Sequence, residues 1–162
     1  MTVHYIRVSP QELKHYIDES SLLAHRVHHL ADTDTARYDI DKSWDGIIFL
    51  LTGKNSSDTT EPLSRLIFSN RLIDKQQDLG TGPAYYLLPE EVTELYQKIK
   101  DIVPSSLKKN FNAAAMKELG VYPNNVWDEE EVDDYLIEYF ETIQEVFETA
   151  SENGEAVISF IQ

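Results

Sequence analysis

Cysteine is missing from all 162 residues. Its absence removes disulfides, thiolate nucleophiles and cysteine-held metal together, and it fits a reducing compartment. Apolar runs approaching ~18 residues are also missing, so no membrane span is expected. The first ten residues lack the basic-then-apolar order of a signal peptide. A third deficit is local. Between Glu118 and Gln162 there is no Lys, Arg or His, although 13 of the 29 acidic residues lie there; the other 16 nearly balance all 14 Lys and Arg. The net charge of −15 therefore belongs to one end of the chain. Nucleic acid and anionic membrane are disfavoured partners, because phosphate recognition needs clustered cations. A soluble, cytoplasmic protein is the expectation.

What remains is ample for folding. Hydrophobic residues make up 41% of the chain and aromatics 10%, enough for a core and against wholesale disorder. The length suits one domain spanning residues 1–162, and neither a repeat nor a linker interrupts it.

The strongest periodic stretch runs from Asp128 to Ala150. Val132, Leu136, Phe140, Ile143, Val146 and Phe147 recur at helical steps on one side, and Asp134, Glu138, Glu141, Glu145, Glu148 and Glu152 on the other. The first side predicts what the helix packs on. The second is a row of like charges whose consecutive pairs oppose one another by ~0.2–0.5 kcal/mol each, roughly 1–2.5 kcal/mol over five steps at low salt. Asp134, Glu138, Glu141, Glu145 and Glu148 are accordingly the candidate contact residues for a basic protein partner. The competing reading is a solvated face that keeps the protein soluble.

Elsewhere, Thr2–Val8 alternates as a strand, with Val3, Tyr5 and Arg7 on one side and His4, Ile6 and Val8 on the other. Ser9-Pro10-Gln11-Glu12 spells a capping box that opens a helix. A second helix is expected over Ser21–Ala31, and a third over Asp39–Gly53 with Trp44, Ile47, Ile48 and Leu51 inward. Pro62 starts a short helix to Ser69. Residues 84–88 read as a strand, Pro89–Ile102 and Asn112–Leu119 as helices, and Ala156–Ile161 as a closing strand. The fold class is α+β: a small sheet of the N-terminal, middle and C-terminal strands with several helices packed on it.

Motifs that carry chemistry are weak. His25, His28 and His29, with Asp32 one turn from His28, have metal-ligand spacing, yet His25 and His29 lie opposite the apolar stripe and read as exposed. Ser64 has neither a nucleophile elbow nor a fitting histidine. Gly80-Thr81-Gly82-Pro83 leads into a strand instead of a helix N-terminus, so it reads as a turn and not a phosphate cradle. No cofactor or metal is expected.

Several segments together resemble the YfbM-like family, a bacterial family of unknown function. They are Asp39–Asp45, Phe49–Gly53, Pro62–Arg65, Gly82-Pro83-Ala84, Leu87 with Pro89–Val92, and Tyr122-Pro123 with Trp127. The resemblance implies a small sheet with packed helices and brings no established activity. It also singles out Asp41, Trp44, Asp45 and Arg65 as a motif cluster of unknown role. The family usually has histidine where this chain has Ile48, a departure that weakens any acid–base role for that position. Two functions compete: a non-enzymatic module binding a basic protein, as immunity proteins do, or a cryptic enzyme built on Asp41, Trp44, Asp45 and Arg65. Self-assembly through a sheet edge is a third possibility.

Overall fold

The architecture comes from a computed structural model, which describes residues 1–162 apart from the side chain of Asp32. Strand β1 (Val3–Val8) lies inside a four-stranded antiparallel sheet, between β2 (Arg37–Asp39) and β4 (Ala156–Ile161). Strand β3 (Tyr85–Leu87) completes the order β2-β1-β4-β3. Side chains alternate across a strand, so the pairing Tyr5↔Ser159 and Arg7↔Val157 belongs to one face, and Ile6↔Ile158 and Val8↔Ala156 to the other. Both faces are covered, which is why β1 and β4 are almost continuously buried.

Over the first face pack α3 (Trp44–Thr52), α4 (Pro89–Ile99), α5 (Ala113–Glu118) and the long α6 (Val132–Asn153), in one core with Val3, Tyr5 and Val157. Over the second pack α1 (Pro10–Asp18) and α2 (Ser20–His29), whose Leu13, Leu23 and Val27 meet Ile6, Ile158 and Phe160. Helix α1 begins on the expected capping box: Ser9 Oγ accepts from Glu12 N–H at 3.1 Å, and the Glu12 carboxylate accepts from Ser9 N–H at 2.9 Å.

Four elements depart from expectation. Helix α6 starts at Val132, not Asp128, because Glu131 sits in a left-handed conformation (φ 62°) that ends the preceding turn. At its other end the helix runs on to Asn153, where Gly154 (φ 64°) closes it. Strand β2 was not expected: its three residues Arg-Tyr-Asp carry no apolar alternation, and pairing with β1 creates it. Pro62–Leu66 and Pro104–Asn110 form 3₁₀ turns, the first in place of the expected helix to Ser69. Helix α3 is buried nearly all round from Trp44 to Leu50, wider than the single stripe expected of it. A Cβ at Gly46 would stand 2.7 Å from Leu136 Cδ2 and 2.8 Å from Trp127 Cη2, so glycine is what lets α3 approach α6.

Candidate functional site

The motif residues do not share a cleft. Asp45, 3% exposed, spends its carboxylate on two backbone amides: Oδ1 accepts from Ser56 N–H at 2.7 Å and Oδ2 from Tyr122 N–H at 2.8 Å. It thereby pins the loop after α3 to the segment carrying the cis Tyr122–Pro123 bond. Trp44 stacks on Tyr122 with ring centroids 5.2 Å apart, meets Phe68 edge-on at 5.5 Å, and donates its indole N–H to the Met1 carbonyl at 3.2 Å. Ile48 is buried in the same core.

Asp41 (φ 45°) accepts from Tyr135 O–H at 3.0 Å, tying the β2–α3 turn to α6. That bond and burial hold the Tyr135 phenol well above its ordinary value, burial contributing most. Asp41 and Tyr135 border a cavity of about 290 Å³ floored by Trp127 and Val132. Arg65 lies on a different cavity, of about 440 Å³, beside Ser56 and Phe68. Its Nη2 donates to Glu91 Oε1 at 2.5 Å, and Glu91 also accepts from Arg71 Nε at 3.3 Å and Leu88 N–H at 3.0 Å. Two carboxylates and an arginine thus occupy three separate sets of contacts, with no common space for a reacting group. The residues that look chemical in the sequence work as ties between loops. The signal for that role was present only in part, since a buried Asp beside a core Trp is an anchor only once its amide partners are known.

The acidic face of α6 is laid out differently. Asp134, Glu138, Glu141, Glu145 and Glu148 are all exposed, while Leu136, Phe140, Ile143 and Phe147 face the core. The two end residues have partners within the chain: Lys108 reaches Asp134 at 2.5 Å and Asp133 at 3.3 Å, and Tyr96 O–H donates to Glu148 at 2.8 Å. The bond to Glu148 pushes the Tyr96 phenol upward. Among the described residues, Glu138, Glu141 and Glu145 form no ion pair.

The rings of His25 and His29 lie with centroids 4.9 Å apart, tilted at 41° to each other. The Asp32 carboxylate invoked beside His28 lies outside the described residues, and among those described no three His, Asp or Glu side chains gather as metal ligands would. At the Gly80–Pro83 turn, the Asp78 carboxylate accepts from the N–H groups of Gly80 and Gly82, both at 2.9 Å. The glycine amides therefore hold a carboxylate of the chain itself. No helix among the described residues is long and apolar enough to cross a membrane.

Compared with known proteins, residues 1–160 match the model of a family described as a domain of unknown function, DUF1877. Over 96 residues the chain is 28% identical to Protein YfbM of Escherichia coli (strain K12), a stretch covering 58% of this chain and 56% of that protein. The alignment therefore spans little more than half the length of that curated relative. The crystal structure of YfbM from Escherichia coli, itself titled a protein of unknown function, superposes with a TM-score of 0.72 over 100% of both chains at 18% identity. That likeness carries the fold.

Proposed function

The chain belongs to the DUF1877, YfbM-like family, and from that premise we propose that it is a non-enzymatic binding domain whose α6 presents a carboxylate row to a basic protein. One observation carries the reading: Glu138, Glu141 and Glu145 stand exposed, with no cation paired to them among the described residues, on a helix whose opposite side is locked into the core. At 1.5 Å per residue the three span roughly 10 Å, a rigid row onto which cationic side chains can be matched. Such a row acts mainly by speeding encounter and rejecting partners of the wrong charge. The carboxylate–arginine alternative has no comparable support, because Asp45 is consumed by amides and Asp41 and Arg65 border different cavities.

The test compares two triple variants of equal charge change against a lysine-rich peptide, by calorimetry at low and high salt. Glu138→Gln with Glu141→Gln and Glu145→Gln is expected to weaken binding at least tenfold. Asp58→Asn with Glu61→Gln and Glu90→Gln, also exposed but not on α6, is expected to change it less than twofold. Equal losses in both would reduce the attraction to net charge and sink the reading.

A further inference from the structure

The cavity beside Arg65 is chemically unlike the acidic face. Its wall holds five hydroxyl side chains, one guanidinium, one carboxylate, one amide and one phenyl ring in about 440 Å³, within the range of small-molecule sites. Some of the hydroxyls are already used: Ser64 Oγ donates to the Glu61 carbonyl at 2.8 Å, Ser69 Oγ to the Tyr86 carbonyl at 2.6 Å, and Thr59 Oγ1 accepts from Glu61 N–H at 3.1 Å. Among the described residues, the side chains of Ser56, Thr60 and Asn70 make no hydrogen bond within the chain. Among the described residues, Arg65 hydrogen-bonds through Nη2 alone and its buried Nε has no acceptor, an omission that native interiors rarely leave without cause.

Charge decides the class of ligand. Arg65 and Glu61 cancel on the wall, Glu91 already shares the Arg65 charge, and the whole chain carries −15. An anion would gain little there and would enter against the molecule's field. A neutral molecule bearing many donors and acceptors would find both. Phe68 adds an apolar patch held edge-on by Trp44 at 5.5 Å and Tyr85 at 5.4 Å, suited to the C–H face of such a molecule. We propose that this cavity binds a neutral polyhydroxylated small molecule of the sugar or polyol class, with Ser56, Thr60, Arg65 and Asn70 bonding its hydroxyls and Phe68 covering its C–H face.

The experiment is a ¹⁵N–¹H correlation titration of the full chain with glucose, N-acetylglucosamine and ribose, and separately with inorganic phosphate, each to about 50 mM so that a millimolar site fills. The expected result is saturable shifts at the Thr60 and Asn70 amides and the Arg65 Nε–H with at least one sugar, and none along α6. Asn70→Ala and Thr60→Val change exposed residues, keep the dispersed spectrum of the folded chain, and are each expected to weaken that sugar at least fivefold. Three outcomes overturn the proposal: no saturable shift with any of the three sugars, phosphate binding tighter than all of them, or variants that bind as the parent does.

Discussion

Two helical layers cover the two faces of one sheet, and they treat charge in opposite ways. In the α1–α2 layer, Arg26 is gathered in: its side chain is 14% exposed, its Nε and Nη2 donate to the Asp34 carboxylate at 2.6 and 3.0 Å, and its Nη1 donates to Tyr16 O–H at 3.1 Å. On the opposite layer, Glu138, Glu141 and Glu145 are turned outward with no counter-ion among the described residues. A carboxylate therefore has a different energetic sign in the two places. Beside a half-buried guanidinium it relieves a desolvated charge, whereas in a row of its own kind it adds repulsion. The lesson is that the acidity of this chain is distributed by tertiary placement as much as by composition.

The strongest way to break the comparison is at Asp45, the carboxylate that the α3–α6 layer does bury. Asp45→Ala orphans two amides, and a cost of about 3–4 kcal/mol is expected in chemical denaturation. Asp45→Asn retains one acceptor and should lose about half as much. Next comes Asp34→Asn in the other layer, expected to cost about 2 kcal/mol because Arg26 loses a charged partner. Acid sharpens the same point. Burial opposes ionisation of Asp34, but the Arg26 hydrogen bonds and the Ala36 N–H together hold its carboxyl below the ordinary 3.8. Its stabilising contribution is thus full above pH 3.8 and lost as pH falls through the lower folded value. The Asn variant should show a flatter acid limb in a stability-against-pH series.

Gly46→Ala tests the contact that brings the acidic helix so close to α3. Its Cβ must displace Leu136 and the Trp127 ring, and a loss of about 1–3 kcal/mol is expected. A smaller effect of opposite sign belongs to the outer row. The triple change of Glu138, Glu141 and Glu145 to Gln should stabilise the chain by about 1 kcal/mol at low salt, fading as salt screens the row. Carboxylate-to-amide changes that stabilise on α6 and destabilise at Asp34 would confirm the contrast; a shared sign would erase it. The smallest effect is at His4, which stacks on Phe160 with ring centroids 5.4 Å apart. Burial, then the charge of Arg37, outweigh Asp39 and hold the imidazole below its ordinary 6.5. The unfolded chain therefore takes up the proton first, so stability falls as pH drops from 6.5 toward the lower folded value, and His4→Phe should remove that slope.

How far the sequence could be read varies by element. The alternation of Val3–Val8 names the two faces of β1 correctly, since period two follows from strand geometry alone. The Ser9–Glu12 capping box and the inner face of α6 are equally local signals. Strand β2 is not, because Arg37–Asp39 becomes a strand only by pairing with β1. Asp41, Trp44, Asp45 and Arg65 could be picked out as a group but not given their tasks, since their partners lie at Tyr135, Met1, Tyr122 and Glu91, far away along the chain.

Periodicity and capping, which need only neighbours a few residues apart, determined from sequence alone the α-helices, strands β1, β3 and β4, and where the excess negative charge resides, but not strand β2 or the 3₁₀ turn at Pro62–Leu66. Which carboxylates are consumed and which stay available was decided only by the tertiary structure. A side chain's solvation and partners depend on what other segments bring to it, and local pattern holds no record of that.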